Sequence, residues 1–345
     1  MKKTFGKIFL GVTALLLVGC GSGSKENSNK TEVKNDTSGD SIKFTMSLVD
    51  NEQSNYYQGA KAIAEEVEKA TNGKITIDIK AGGTLGGEAD TLDMAIQGDL
   101  DIATAANSVL ANYIPEMNIL DQAFLWDSQD QANYAVTHEL GDLIYEKAEK
   151  QGVHVIGYME SGFRDVFSKK PIEKLEDFNG VKIRVMQNEG QILAFESFGA
   201  NPVAISAGEQ FTALQQNTID ACENAVSNCL VNKFYEAGVN SITETHHSFV
   251  YIPICMSKKA YEKIPEEQRD KFLEAVKTGC EKQWGYLNEA NEGAKEELQN
   301  THNITFYSID TNEMKKSYEE KQKEKGIKYD DEWIKAIESA KEAVK

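Results

Sequence analysis

Hydrophobic positions from about residue 41 onward recur with two periods, and the two kinds of segment alternate. Ile75, Ile77 and Ile79 share one face of a segment with period two, which is typical of a strand. The region 54–70 has an apolar stripe of helical period and ends at the helix-stop sequence Thr71-Asn72-Gly73. The first series predicts strands at 42–49, 74–80, 100–105 and 153–159 and helices at 54–70, 92–98 and 129–152.

A second series of the same kind begins near Gly162. It predicts strands at 181–185 and 203–205 and helices at 189–198 and 208–216. Such alternation favours an α/β fold with open, mostly parallel sheets and helices on both faces. No linker separates the two series, so the chain must cross between two lobes more than once.

Pro265 opens the longest predicted helix, with Glu266 and Glu267 in the first turn where proline and acids are favourable. Its apolar stripe continues to Leu298, a length of roughly 50 Å at 1.5 Å per residue. One helix of that length would run across both lobes. The alternative is two helices broken at Gly285 or Gly293. The region 332–344 predicts a final helix.

The N-terminus has the features of a lipoprotein signal peptide. Residues 1–19 combine a lysine-rich start with a short apolar run, and a small residue precedes Cys20. With a lipid attached at Cys20, residues 20–40 would form a flexible tether between the lipid and the folded body, since their polar composition buries little surface. The predicted location is the outer face of the cytoplasmic membrane, with the body held to the membrane by the lipid. An ordinary signal peptide that contains a cysteine is the alternative.

Composition argues against several classes of function. The chain has 37 Lys+Arg against 55 Asp+Glu, a net charge of −18, which argues against nucleic acid as a partner because that needs clustered cations. No catalytic, phosphate-binding, dinucleotide or metal motif is present, so we expect a protein that is not an enzyme, with no catalytic residues, cofactor or metal site. The adjacent His246 and His247 would point to opposite faces of a strand.

Four cysteines remain in the body, at positions 222, 229, 255 and 280. Cys222 and Cys229 are predicted to share a helix, where seven residues rise about 10 Å, too far for a disulfide. We expect four buried thiols, with disulfides as the alternative.

Arginine is scarce in the body, where Arg164, Arg184 and Arg269 are its only occurrences. Arg269 falls on the long acidic helix and is expected at the surface. Arg184 lies inside the apolar strand 181–185, where an arginine is costly unless it is paired. Its planar guanidinium can donate two parallel hydrogen bonds to a carboxylate. A ligand carboxylate and an internal Asp or Glu are both open as partners.

These segments together resemble the substrate-binding proteins of TRAP transporters, the tripartite ATP-independent periplasmic carriers. The resemblance is carried, in chain order, by Gly83-Thr84-Leu85-Gly86, Asp101 to Glu116, Asp177 to Gln187, Phe198 to Pro202, Thr212 to Gln216, Asp220 to Asn224, His247-Ser248 and Ser257 to Tyr261. It implies a two-lobed clamshell of the periplasmic-binding-protein type, with the long helix spanning both lobes. Lobe I would comprise 41–161 and 250–289, and lobe II would comprise 162–249 and 290–345.

The resemblance also implies a ligand site in the cleft between the lobes. Arg184 falls where the family binds a carboxylate, Arg164 where many members have a second arginine, and Asn224 where an asparagine contacts the ligand. Glu88 matches a ligand-contacting acid of sugar-acid-binding members. Gln187 aligns with the cleft edge, and two further candidates, Asn51 and Asn107, rest on their positions after strands.

The sequence departs from the family at a few positions near these motifs. Asn217 and Ala221 stand where glycine is usual, and Ala123 and Ala225 where proline is usual. Asn217 can adopt the left-handed conformation that glycine would supply. These departures bear on the local loop geometry beside Asn224 more than on the family resemblance.

The implied function is an extracytoplasmic receptor that binds a small organic acid and delivers it to TRAP-type membrane permease subunits. The matched residues favour a sugar acid such as a hexuronate, and a C4-dicarboxylate is the nearest competitor. Two other functions stay open: a surface-anchored sugar hydrolase with an Asp/Glu pair, and a ligand sensor that feeds a histidine kinase.

Overall fold

The computed structural model describes residues 41–345. The predicted signal peptide at 1–19, lipid attachment at Cys20 and the tether at 20–40 lie outside the described residues. Within residues 41–345, no helix combines the length and the hydrophobicity needed to cross a membrane.

The elements alternate largely as the hydrophobic pattern predicts. The strands are β1 (Ile42–Ser47), β2 (Ile75–Lys80), β3 (Ile102–Thr104), β4 (Val153–Ser168), β5 (Lys182–Val185), β6 (Asn201–Ala204), β7 (Ala221–Asn224), β8 (Ser241–Ser257) and β9 (Thr305–Ser308). The helices are α1 (Asn55–Ala70), α2 (Glu88–Gln97), α3 (Asn107–Leu110), α4 (Gln129–Val136), α5 (Glu139–Lys150), α6 (Glu189–Ser197), α7 (Gln210–Gln215), α8 (Val226–Val231), α9 (Lys258–Tyr261), α10 (Glu266–Asn300), α11 (Thr311–Lys325) and α12 (Asp331–Ala343).

One mixed nine-stranded sheet joins all the described strands, in the order β2-β1-β3-β8-β4-β7-β5-β6, with β9 beside β8. Parallel pairing holds within each end of the sheet: β1 pairs with β2 and β3, and β5 with β6 and β7. The two ends are joined by the long antiparallel pair β4 and β8, which extends from Val153↔Ser257 to Ser168↔Ser241 with three register shifts between them. The prediction of strand β4 ending at 159 was therefore wrong, because the strand stays buried and continues to Ser168.

The hydrophobic core has three clusters of buried side chains. The first contains residues of β1 to β3 and the early helices, together with parts of β8 and α10. The second and third contain residues of β5, β7, α6 and α7 and of the chain around Phe234. The predicted lobe boundaries stay a prediction. Trp333 and Ile337 of α12 belong to the first cluster.

Helix α10 is one continuous helix of 35 residues, as the apolar stripe predicts. Neither Gly285 nor Gly293 breaks it, and a side chain at either position would meet no atom within 4 Å. Where α10 crosses α1, however, a Cβ on Gly279 would lie 2.5 Å from the Ile63 Cα, so the backbones approach too closely for any larger residue.

Two local predictions were wrong. The segment 129–152 is two helices, because Thr137 and His138 interrupt it: the Thr137 hydroxyl donates to the Asn133 carbonyl, and the His138 ring stacks on Tyr134. Such a hydroxyl bond to the preceding turn competes with continued helix. Cys222 and Cys229 lie on β7 and α8 rather than on one helix. All four body cysteines are nonetheless buried and free, as expected.

Candidate functional site

Polar side chains converge on a small cavity of about 40 Å³ beside the carboxyl ends of the parallel strands, the usual ligand position in open α/β sheets. Loop and helix residues after β1 and β2 form one wall, and residues of β4, β7 and the end of β5 form the other. The lining residues are Asp50, Tyr56, Glu88, Ala106, Ser161, Arg164, Arg184, Met186, Ala207, Gln210, Asn224, Asn228, Val250 and Ile252.

Arg164 and Arg184 share one buried carboxylate, that of Glu223 on β7. The pairing of β7 with both β4 and β5 places Glu223 between them. Arg164 donates from Nε to one oxygen of Glu223, and Arg184 donates from Nη1 to the other over 3.1 Å. The Glu223 side chain is 0% exposed. The internal partner that the sequence left open for Arg184 is therefore present, and it pairs with both arginines.

Arg184 retains hydrogen-bonding capacity beyond this pair. Its Nε donates to the Ile205 carbonyl over 2.8 Å, and Nη1 donates to Glu223. Within residues 41–345 the Nη2 group has no hydrogen-bond partner, although the side chain is only 2% exposed and lines the cavity. Two strong donors therefore remain for an anion in the cavity.

Arg164 is fixed from several sides. Its Nη1 donates to the Ser161 hydroxyl over 2.9 Å and to Asn224 Oδ1 over 3.0 Å, and its Nη2 donates to the Glu223 carbonyl over 2.7 Å. Asn224 Oδ1 also accepts from Asn228 Nδ2 over 2.7 Å. These bonds position the guanidinium before any ligand enters.

The opposite wall carries two carboxyl groups. Glu88, the first residue of α2, accepts from the Ala106 backbone N–H over 3.0 Å. Asp50 follows β1, and burial together with the nearby Glu88 raises the pKa of Asp50 to about 7. Burial also raises the pKa of Glu88. The wall thus holds acids that can donate as well as accept hydrogen bonds near neutral pH.

Tyr56 and His247 are two further buried titratable groups at or beside the site. Burial raises the pKa of Tyr56 to about 12, so its hydroxyl stays protonated. His247 is buried next to Glu223, and burial lowers its pKa to about 4, so its imidazole is neutral. Its neighbour His246 is exposed and has φ +44° in an irregular part of β8, so the regular strand alternation expected from sequence does not apply there. No group of three or more metal-ligating side chains occurs among the described residues.

Four of the seven residues predicted for the ligand site line the cavity: Arg164, Arg184, Asn224 and Glu88. The other three do not. Asn51 Oδ1 accepts from the Gln53 backbone N–H in its own loop. Gln187 is exposed, and its carbonyl accepts from Asn112 over 3.0 Å.

Asn107 is fully buried between elements of the fold. Its Oδ1 accepts from the Tyr251 backbone N–H over 3.0 Å, so it fixes a helix against β8.

Sequence reasoning missed several lining residues, of which Asp50, Tyr56, Ser161, Gln210 and Asn228 are polar. Asp50, which directly precedes the predicted Asn51, lines the cavity, whereas Asn51 does not. Glu223 was also missed, although an acid directly after Ala221-Cys222 in a short strand is a signal of a buried charge. Asn217, which stands where relatives of the predicted family usually have glycine, has φ +57° and adopts the left-handed conformation expected of it.

Comparisons with known proteins agree with this geometry. A family model described as bacterial extracellular solute-binding protein, family 7, matches residues 46–328. The 2,3-diketo-L-gulonate-binding periplasmic protein of Escherichia coli is 29% identical over 64% of this chain and 67% of its own length. The C4-dicarboxylate-binding periplasmic protein of Vibrio cholerae is 27% identical over 63% and 65%.

Among solved structures, the sugar acid binding protein of Advenella mimigardefordensis in complex with galactonate superposes with a TM-score of 0.81. It is 27% identical, and the match covers 88% of this chain and 99% of that one.

The fold and the cavity thus define a solute-binding protein of the periplasmic two-lobed class. The chain belongs to the bacterial extracellular solute-binding proteins of family 7, which confirms the resemblance to the TRAP solute-binding proteins. Members of this family are extracytoplasmic receptors of small organic acids and not enzymes, and they work with TRAP permeases.

Proposed function

We propose that this protein is the receptor of a TRAP-type transporter and that its ligand is a sugar acid such as a hexuronate. The ligand carboxylate would pair with Arg184, and Arg164 and Asn224 would complete the anion site. The receptor would then deliver the acid to membrane permease subunits. A lipid on Cys20 would hold it at the outer face of the cytoplasmic membrane.

One observation carries this proposal. Arg184 is fixed by Ile205 and Glu223 and lines the cavity, and its Nη2 donors have no partner within residues 41–345. A carboxylate that accepts from these donors would gain a charge-assisted hydrogen bond from a guanidinium that is already held in place.

The sugar-acid preference rests on the remaining lining groups and on two relatives. Tyr56, Ser161, Gln210 and Asn228 supply hydroxyl and amide groups suited to a ligand that has several hydroxyls. The relatives from Escherichia coli and Advenella mimigardefordensis are named for sugar-acid ligands, whereas the Vibrio cholerae relative is named for C4-dicarboxylates. We also propose that ligand binding closes the two lobes, since a ligand enclosed between lobes favours the closed state.

A thermal-shift screen of the purified protein against hexuronates, aldonates and C4-dicarboxylates tests the proposal. A ligand at about 100 times its dissociation constant adds near 2.7 kcal/mol of stability, a shift of several degrees. We expect the largest shifts with sugar acids, and recovery of the acid unchanged after incubation. Shifts only with dicarboxylates would reject the sugar-acid assignment. Hydrolysis of a glycoside of the sugar acid, with release of the free acid, would favour the hydrolase.

A further inference from the structure

The charges around the cavity do not balance evenly between its two walls. Arg164 and Arg184 contribute two positive charges, and Glu223, which contacts both, cancels one of them. The neutral His247 adds none. The arginine wall therefore offers one net positive charge, enough for one carboxylate.

The opposite wall has no cation among the described residues. Asp50 and Glu88 line it, and within residues 41–345 Arg164 and Arg184 are the only positively charged side chains that line the cavity. A second carboxylate on the ligand would lie against these acids instead of against an arginine. To the extent that these acids are ionised, like-charge repulsion disfavours a second ligand carboxylate beside them.

We infer that Asp50 is the specificity-determining residue of this site, and that with Glu88 it restricts the ligand to a polyhydroxylated monocarboxylate and excludes the corresponding dicarboxylate. This inference rests on the proposed function and makes it more specific. Asp50 accepts or donates a hydrogen bond to a ligand hydroxyl, whereas it repels a carboxylate at the same place.

Matched ligands isolate the second carboxylate. D-galactonate and galactarate share one carbon chain and differ by the oxidation of carbon 6, and D-gluconate and D-glucarate form a second such pair. Titration calorimetry of the purified protein with all four acids at neutral pH gives two ratios of affinity. We expect each monoacid that binds to do so on the order of a hundredfold more tightly than its diacid.

A matched pair of variants then tests Asp50. Asp50→Asn keeps the size of the side chain and removes its charge, whereas Glu52→Gln removes one charge from an exposed residue of the same loop that does not line the cavity. We expect Asp50→Asn to tighten diacid binding and to reduce the preference for the monoacid over the diacid about tenfold or more. Glu52→Gln should leave the preference as it is in the unchanged protein.

The outcomes separate the inference from the proposed function. Equal binding of monoacid and diacid by the unchanged protein, or the same preference in Asp50→Asn, would overturn the role of Asp50 and leave the receptor function intact. A parallel loss of both affinities in Asp50→Asn would show a positioning role and would also overturn it. No binding of any of the four acids would reject the proposed six-carbon sugar-acid ligand, and this inference with it.

Discussion

Arg184 donates a hydrogen bond to Glu223 over 3.1 Å, from Nη1 to Oε1, and both side chains are almost completely buried. The internal carboxylate holds the guanidinium in place and compensates part of the cost of burying it. A ligand then meets an arginine that needs no reorganisation. Pairing with Glu223 and the proposed contact with a ligand carboxylate would thus be two uses of one side chain.

Arg184→Met should weaken binding of a sugar acid by two orders of magnitude or more, because loss of one partner of a buried charge pair costs about 2–5 kcal/mol. In this variant Glu223 stays paired with Arg164, so the remaining buried charges balance. Arg184→Met/Glu223→Gln leaves the buried Arg164 without its carboxylate and should lose further stability without regaining affinity. Calorimetric titration and chemical denaturation measure the two effects, with Arg269→Met on α10 as the control. Affinity restored in the double variant would contradict a direct contact between Arg184 and the ligand.

Binding of the anion should weaken as pH rises through about 7. Asp50 has a pKa of about 7 in the cavity, where it faces Glu88, Arg164 and the Tyr56 hydroxyl. Its ionised form adds a negative charge that repels the ligand, so binding favours the protonated form and takes up a proton. Uptake of one proton limits the decline in affinity to about tenfold per pH unit above the pKa of Asp50. Calorimetry in two buffers of different ionisation enthalpy detects the proton, and Asp50→Asn should abolish most of it.

Glu160 should make the fold less stable as pH rises from about 4.5 to about 8. It is fully buried beside Gln129, and burial raises its pKa to about 8. Between the unfolded and folded pKa values, the folded state keeps a proton that the unfolded state releases, so the free energy of unfolding falls with pH. Glu160→Gln cannot ionise and should escape this loss, which is on the order of 3–5 kcal/mol. Denaturation at pH 5 and pH 8.5 measures it.

The matched control for this experiment is Glu319→Gln, at an exposed position on α11. We expect it to follow the unchanged protein at both pH values. If Glu160→Gln followed it as well, burial of an ionisable Glu160 could not be the cause of the pH dependence.

Glycine positions on α10 should respond in opposite directions to alanine. Gly279→Ala would place its Cβ 2.5 Å from the Ile63 Cα and force α1 and α10 apart. We expect destabilisation by about 1–3 kcal/mol. Gly285→Ala and Gly293→Ala meet no atom within 4 Å and should stabilise the same helix by roughly 0.5–1 kcal/mol each. Urea denaturation compares the three variants, and equal effects at all three sites would rule out the proposed close approach.

Local patterns predicted most of the fold, because they depend on neighbours in the sequence. The start of α10 after Pro265 follows from proline and acids at a helix N-terminus, and its length follows from one apolar stripe. Strand β4 extends past its predicted end because it pairs with β8, about ninety residues later in the chain. The local sequence pattern contains no information about that pairing. The break at Thr137 depends on a side-chain bond to the preceding turn, which hydrophobic periodicity does not report.

The candidate site was accessible to sequence reasoning only in part. Arg184 could be selected because a charge in an apolar strand is unusual. Glu223 could not be assigned to it, because strand order in the sheet decides which charges meet. Asp50 and Asn51 are adjacent in a turn, and only the backbone path after β1 determines which of the two side chains faces the cavity.

Helix α12 affects when the hydrophobic core can form during synthesis of the chain. Trp333, Ala336, Ile337 and Ala340 belong to the first core cluster, where α12 packs against α4 and α5. A nascent chain that has not yet reached residue 340 leaves this apolar surface open to water. Ribosomal stalling or truncation before residue 340 should therefore yield products that proteases remove, because the fold gains its full stability only once α12 has been made.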